Sequence, residues 1–173
     1  LKIMGYMKFM KGMFTNGKTK LMVKVVLLAS LFLSATASAY NLSGLWRSVD
    51  ENTKQSTSII KIYRQSNKYY GKIVHLYDQP GLVKVCNKCS GSNAGANVIG
   101  MRIINDLTEE SSNSYDNGSI LDPKSGSVYS LKITQLSPSE IKLRGYIGFS
   151  WLGRTQYWKR FTGDVAKQPG FSL

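Results

Sequence analysis

The sequence contains two cysteines, Cys86 and Cys89, which are separated by only two residues. A C-x-x-C pair can act as a redox centre when a helix N-terminus stabilises the first thiolate. It can also supply half of a zinc site, or close into a small disulfide in an oxidising compartment. Lys84, Lys88 and a Ser/Gly-rich run surround the pair, and no helical pattern follows it. We therefore expect a disulfide that shapes a loop, with redox catalysis and metal binding as the alternatives.

A second stretch, RGYIGFSW over residues 144–151, is close to the RRM signature, in which rings on one strand stack on RNA bases. Ile147 stands where that signature has a small residue, and it shifts Phe149 by one position. A shift of one residue turns a side chain to the opposite face of a strand, so Tyr146 and Phe149 cannot form one stacking surface. No nucleic-acid partner is predicted. We expect GFSWLG to connect two strands, with Phe149 and Trp151 on an apolar lip that faces either the core or a ligand.

The sequence offers no pattern that joins its single histidine, His75, to a nucleophile and a carboxylate. The acidic residues fall mainly in turn segments, such as Asp50 and Glu51. General acid–base catalysis requires convergent groups with displaced pKa values. We therefore predict that the protein is not an enzyme and has no cofactor or metal site.

Strands must position these residues, because apolar side chains recur with a period of two along most of the chain. In SVYSLKITQL, for example, Tyr129, Leu131 and Ile133 fall on one face. Turn clusters such as DPKSGS separate the segments. Seven or eight short strands with tight turns predict an antiparallel barrel or sandwich. The predicted strands are 56–65, 68–77, 97–104, 127–136, 140–148 and 154–161, with a first strand that opens at Gly44.

Three observations favour the barrel. Gly44-Leu45-Trp46 resembles the opening of lipocalin-like barrels, in which the Trp closes the base and an Arg of the last strand stacks over its ring. Arg160, or failing that Arg154, is the expected partner of Trp46. Eight strands also enclose an interior that can hold one small ligand. The predicted fold class is all-β, an antiparallel up-and-down lipocalin-like barrel of about eight strands.

The first 39 residues have the pattern of a secretory signal peptide, in which basic residues precede an apolar run over 25–33 and an Ala-Ser-Ala exit. The apolar run is shorter than the roughly 20 residues that span a bilayer. We predict a leader over 1–39, with an upstream extension before a start at Met22. The single domain over 40–173 is then secreted or periplasmic, with no transmembrane segment.

The predicted domain is moderately basic. Six of the 23 Lys and Arg residues lie in the predicted leader, which leaves 17 basic against 10 acidic residues, a net charge of +7. Such a charge favours contact with anionic lipid head groups or acidic glycan. Five bases also occur between Ile141 and Phe161, where there is no acid. Positive charge beside an apolar mouth suits an amphiphile with an anionic head, although these bases can equally be solvated residues of the outer face. The five bases are Lys142, Arg144, Arg154, Lys159 and Arg160.

Several motifs resemble the exported bacterial DUF2147 family in order and spacing. They are GLWRS, YYGKIV, CNKCSG, VIGM, GSILDPKSGSVY and RGYIGFSWLGRTQYWKR, and they extend from Gly44 to Arg160. The resemblance implies a small envelope or secreted protein with a fold similar to the lipocalin and calycin barrels. It implies no particular activity. The Ser/Asn-rich TEESSNSYDNGS departs from the family pattern, and we expect it to be a long solvated hairpin loop.

These observations predict an exported barrel that binds a small hydrophobic or amphipathic ligand, such as a fatty acid or lipid, in its interior. The alternative is an envelope protein with a filled barrel, whose basic face docks anionic glycan or a protein partner. The parity of SIIKIY is ambiguous, so either face of that strand can point inward. The residues predicted to bind the ligand are Ile60, Ile62, Tyr69, Ile73, Met101, Tyr129, Leu131, Ile133, Leu143, Phe149, Trp151 and Arg144.

Overall fold

Eight antiparallel strands make up most of residues 40–168, which are the part of the chain that this computed structural model describes. Each strand pairs with the next, and the last returns to the first, which closes the sheet into a barrel. The fold class predicted from the alternation is confirmed. The predicted leader over 1–39 lies outside the described residues. The strands are β1 Gly44–Val49, β2 Ser56–Gln65, β3 Lys68–Leu76, β4 Arg102–Ser111, β5 Ser114–Asp122, β6 Ser127–Ser137, β7 Glu140–Tyr146 and β8 Arg154–Arg160.

Because neighbouring strands run in opposite directions, their connections alternate between the two ends of the barrel. We call one end the closed end; it holds the two-residue turns 66–67, 112–113 and 138–139. The other, open end holds four longer connections. Of these, the β3–β4 connection over residues 77–101 is by far the longest.

The barrel interior follows from the period of two. On β6, Leu131 and Ile133 are fully buried, whereas their neighbours on the other face are partly or fully exposed. The sequence of β2 does not decide which of its faces points inward, and the reason is an irregularity in its pairing with β3 beside Ile59 and Ile60. Both isoleucines are buried, but only Ile60 belongs to the continuous core. The second apolar face of SIIKIY is therefore also covered.

The predicted strand over 97–104 begins later, at Arg102. The backbone N–H of Gly100 donates to Ile73, and the N–H of Met101 donates to Val98, so the chain turns here instead of extending. Gly100 has a φ of +88°, which is a left-handed conformation that a β-branched or apolar residue rarely adopts. The sequence pattern VIGM is thus the end of the β3–β4 connection.

The segment expected to be a long solvated hairpin loop, residues 108–119, does form a hairpin, but most of it is strand and only residues 112–113 form the turn. β4 and β5 extend through it and pair up to Ser111 and Ser114. Asn113, in the turn between them, has a φ of +67°, and asparagine tolerates this conformation better than most residues. The polar residues of this segment therefore cover the outside of a hairpin.

Trp46 and Arg160 lie together at the closed end. The Trp46 ring is fully buried, and its Nε1 donates to the carbonyl oxygen of Leu42 at 2.8 Å. The Cζ atom of Arg160 lies 4.2 Å from the ring centroid, within the range of a cation–π contact. Gly44 has a φ of +139°, and a Cβ atom there would overlap the Arg160 guanidinium. The Gly-x-Trp pattern is therefore explained by the room that the arginine needs.

Candidate functional site

A cavity of about 790 Å³ opens at the open end and extends into the barrel. Its deeper wall is apolar and is built from inward-facing side chains of several strands: Ile60 of β2, Ile73 of β3, Leu131 of β6, Leu143 of β7 and Trp158 of β8. This volume lies within the range of small-molecule sites, about 300–1,000 Å³. The arrangement can enclose an apolar group and exclude water from it.

The rim of the cavity combines apolar side chains, such as Leu82 and Leu152, with charged side chains of both signs. Asp50, Glu51 and Asp122 supply the acids, and Lys124 and Arg154 supply the bases. The rim can orient a polar group, but it is not dominated by either charge.

The two aspartates of the rim also shape their own turns. Asp50 accepts hydrogen bonds from the backbone N–H groups of Thr53 and Asn52, which lower the pKa of its carboxyl. The hydrogen bonds to the Asp50 carboxylate therefore stabilise the folded turn at pH values above its ordinary pKa of 3.8. This stabilisation is lost as the pH falls through the lowered pKa. Asp122 likewise accepts from the hydroxyl of Ser125 at 2.7 Å.

The β3–β4 connection forms one side of the entrance, where Leu82, Val83 and Val98 line the cavity. Cys86 and Cys89 are joined by a disulfide within this connection. Both are buried, and the Sγ atom of Cys86 lies 3.2 Å from the carbonyl oxygen of Pro123 in the β5–β6 turn. The disulfide therefore packs the connection against the neighbouring β5–β6 turn.

Comparison with known proteins is informative for the fold and the family. The chain matches the family described as "Uncharacterized protein conserved in bacteria (DUF2147)" over residues 44–160. The chain belongs to the DUF2147 family. Among solved structures it is similar to protein HP1028 from Helicobacter pylori, which is described as belonging to the lipocalin family. That likeness has a TM-score of 0.64 at 19% identity and covers 74% of this chain and 88% of the other. A search of curated proteins gave no match.

The match to a lipocalin-family structure shows that the DUF2147 barrel is lipocalin-like in fold. Within residues 40–168 there is no helix of the length and hydrophobicity that crossing a membrane requires. The same residues contain no group of three or more His, Cys, Asp or Glu side chains arranged to hold a metal ion.

The structure places five of the residues predicted to bind the ligand on the cavity wall. Three others, Ile62, Tyr69 and Ile133, are buried in the core but do not line the cavity. Met101 is also buried, where the β3–β4 connection joins the barrel. The five wall residues are Ile60, Ile73, Tyr129, Leu131 and Leu143.

Phe149, Trp151 and Arg144 do not line the cavity of this DUF2147 protein. The two rings are exposed on the β7–β8 connection, residues 147–153. Arg144 supports that connection from β7, because its guanidinium donates to the carbonyl oxygens of Ser150 and Trp151. Its role in the structure is to hold the loop, since it does not reach into the lumen.

The basic residues between Ile141 and Phe161 do not gather at the mouth. Lys159 forms a salt bridge with Glu140 at 2.6 Å, and Arg160 is at the closed end. Of the five bases, only Arg154 lines the cavity. The positively charged mouth expected from the sequence is thus a mixed rim.

Several wall residues escaped the sequence prediction. Trp158 could have been found, because it lies two residues before Arg160 and shares its face of β8. Ile120 and Leu121 lie in β5, in a segment where no strand was predicted. Ile103 precedes a second isoleucine, so alternation did not decide which of the two faces inward. Residues missed on the wall include Val98, Ile103, Ile120, Leu121, Gly145, Gln156 and Trp158.

Proposed function

We propose that this protein binds a small hydrophobic or amphipathic molecule, of the fatty-acid or lipid type, in the barrel cavity. The observation that supports the proposal is a cavity of about 790 Å³ whose barrel wall carries large apolar side chains and whose rim carries charged ones. Burial of roughly 300 Å² of apolar ligand surface would contribute about 7.5 kcal/mol at 25 cal/mol per Å². The cost of association is subtracted from this gain, so the affinity depends on how completely the cavity covers the ligand.

Capture in this proposal needs no covalent step, and the protein acts as a binding protein and not as an enzyme. Ile60, Leu131 and Leu143 contact the apolar part of the ligand. The mixed rim receives its polar end, with Lys124 and Arg154 as partners for an anionic head group. The leader pattern over residues 1–39 supports the further proposal that the protein acts in the periplasm or outside the cell.

The cavity also favours this function over the alternative of a filled barrel with a basic docking face. That alternative requires an interior too small for a ligand, below roughly 300 Å³. Its basic face is moreover interrupted, because Lys159 is engaged by Glu140 and Arg160 by the closed end.

Gly145 offers a direct test, because it lines the cavity and a Cβ atom there would meet Ile120 and Tyr129 at 3.7 Å, an ordinary contact. Gly145→Ile should occupy part of the lumen, and its Cβ atom requires no shift of the backbone. We expect the affinity for a fluorescent fatty-acid analogue to fall at least about tenfold, the loss that corresponds to about 1.4 kcal/mol. Titration of the purified, delipidated protein measures it.

The matched control is Ser130→Ile, which adds the same side chain at an exposed position of the adjacent strand. Its affinity should equal that of the wild type. Native mass spectrometry of the protein before delipidation, followed by solvent extraction, should identify the bound molecule. Equal affinities for both variants, or wild-type protein that binds no apolar probe, would refute the proposal.

A further inference from the structure

The β7–β8 connection presents an unusual apolar surface beside the cavity entrance. Four large apolar side chains within six residues are each about two-thirds exposed: Ile147 at 68%, Phe149 at 67%, Trp151 at 71% and Leu152 at 64%. We call these four residues the apolar tip. A cluster of this kind on a protein surface marks an interaction site.

The apolar tip is held in place by the barrel beneath it. The Nε and Nη2 atoms of Arg144 donate to the carbonyl oxygens of Ser150 and Trp151 at 2.5 and 2.9 Å. Its Nη1 atom donates to Thr155 at 2.7 Å. The rings of Phe149 and Trp151 stack with centroids 6.0 Å apart and planes inclined by 19°. The barrel therefore holds the exposed side chains in place. A partner that covers them loses little conformational entropy in ordering the loop.

The apolar tip is continuous with the cavity. Ile147 and Leu152 are exposed to solvent and also line the cavity wall. Along this side an apolar chain can pass from the tip into the lumen in contact with apolar side chains. A tip that served only a protein partner would not need this continuity.

The charge around the tip favours an anionic partner. No acid occurs from Ile141 to Phe161, and Arg154 lies two residues after Leu152 of the tip. Neither Arg154 nor Lys124 of the rim forms a salt bridge within residues 40–168. The rim acids Asp50, Glu51 and Asp122 keep their charge, but they lie on the β1–β2 connection and at the end of β5, not on the connection that carries the tip. Aromatic and aliphatic side chains flanked by bases are typical of surfaces that insert into a lipid interface.

We propose that the apolar tip docks on a phospholipid bilayer containing anionic lipid, with Phe149 and Trp151 inserted at the level of the head groups. The cavity then faces the membrane and exchanges its ligand with it along Ile147 and Leu152. The docking itself is independent of the proposed function, whereas the exchange rests on it.

The protein carries its own reporter for this proposal. Trp46 and Trp158 are buried, so Trp151 is the one exposed tryptophan of the described residues. Vesicles of phosphatidylcholine with phosphatidylglycerol should shift the tryptophan emission to shorter wavelength, and lipids brominated on the acyl chain should quench it. Binding should weaken as salt is raised and should be weaker to vesicles of phosphatidylcholine alone.

The double variant Phe149→Ser, Trp151→Ser removes the two rings from an exposed loop, so the barrel should stay folded. Its partitioning to the mixed vesicles should fall at least about tenfold in a flotation assay. The matched control, Val128→Ser with Tyr157→Ser, removes two exposed apolar side chains from barrel strands and should bind as the wild type does. Equal binding by the tip variant and the control would overturn the proposal. The proposal would also be overturned if the wild type bound no lipid but associated with itself, and if the tip variant abolished that self-association. The tip would then be assigned to a second copy of the chain.

The two proposals fail in different ways. The tip variant should keep the affinity of the wild type for the fatty-acid analogue in solution, because the rings do not line the cavity. Gly145→Ile should keep the vesicle binding and lose the fatty-acid affinity. Loss of vesicle binding with Gly145→Ile would contradict the independence of docking from the cavity.

Discussion

Arg160 stabilises the closed end through three hydrogen bonds and one ring contact. Its guanidinium donates to the carbonyl oxygens of Pro138 and Asn41 at 2.6 Å and of Ser43 at 3.1 Å. The same plane covers the Trp46 ring. Partial burial lowers the pKa of Arg160, as expected for a cation removed from water. Only the fork of a guanidinium can satisfy separate carbonyl groups while it lies flat on a ring.

We therefore expect Arg160→Ala to lower the free energy of unfolding by about 2–4 kcal/mol, since it removes charge-assisted hydrogen bonds and a cation–π contact. Arg160→Lys should lose most of the same amount, because an ammonium cannot reach the three carbonyl groups in one geometry. Urea unfolding followed by tryptophan fluorescence measures both. Arg102→Ala, which removes an exposed arginine 5.2 Å from the Tyr70 ring, is the control and should cost less than about 1 kcal/mol. A cost for Arg160→Lys no larger than that of the control would contradict the role of the fork.

At the scale of elements, the β3–β4 connection is fixed to the barrel by a few specific contacts. The disulfide makes a compact unit within it, and the N–H of Cys86 donates to the carbonyl oxygen of Ala96 at 2.9 Å. Gly126 of the β5–β6 turn, with a φ of +73°, approaches Lys88 so closely that a Cβ atom would overlap its carbonyl oxygen. The connection is therefore shaped to fit one neighbouring turn.

Reduction of the disulfide should loosen this connection without opening the barrel. A ring of this size contributes only about 2 kcal/mol in the chain-entropy account, and none of the strands contains either cysteine. Hydrogen exchange followed by mass spectrometry should show faster exchange over residues 82–101 after reduction, with β5–β7 unchanged. The double variant Cys86→Ala, Cys89→Ala provides a comparison, because it also removes the buried sulfur atoms and should cost more stability than reduction. Faster exchange throughout the strands would show that the disulfide supports the whole barrel.

The elements also show what alternation can and cannot predict. β6 was predicted well because Leu131 and Ile133 alternate with polar residues, so one face is plainly apolar. The pattern over residues 97–101 predicts a strand because Val98, Ile99 and Met101 are apolar, but in the structure Val98 and Met101 are buried within a covering connection. Alternation likewise shows that Ile133 and Leu131 share a face, but not that Ile133 lies below the cavity. Height along the barrel depends on register between strands, which a single sequence does not display.

At the scale of the whole molecule, the barrel closes through contacts between distant parts of the chain. β1 and β8 are paired at only two positions, Trp46 with Arg160 and Arg47 with Lys159, whereas β7 and β8 are paired at six. Arg160 also binds Ser43, which is 117 positions away. All other strand pairs join neighbours in sequence. Closing so long a loop lowers the conformational entropy of the chain before the contacts of this seam can form.

We expect the β1–β8 seam to form after the rate-limiting step of folding, because the hairpins from β2 to β8 can assemble without it. Arg160→Ala should then raise the unfolding rate about 30-fold or more, the factor that corresponds to about 2 kcal/mol, and change the folding rate by less than about twofold. Stopped-flow measurements in urea give both rates. Leu131→Ala, which removes a fully buried side chain between β5 and β7, is the contrasting variant and should slow folding, because the central hairpins belong to the folding nucleus. If Arg160→Ala slowed folding in proportion to its loss of stability, the chain ends would have to meet early, and closure of the barrel would be the event that organises the other strands.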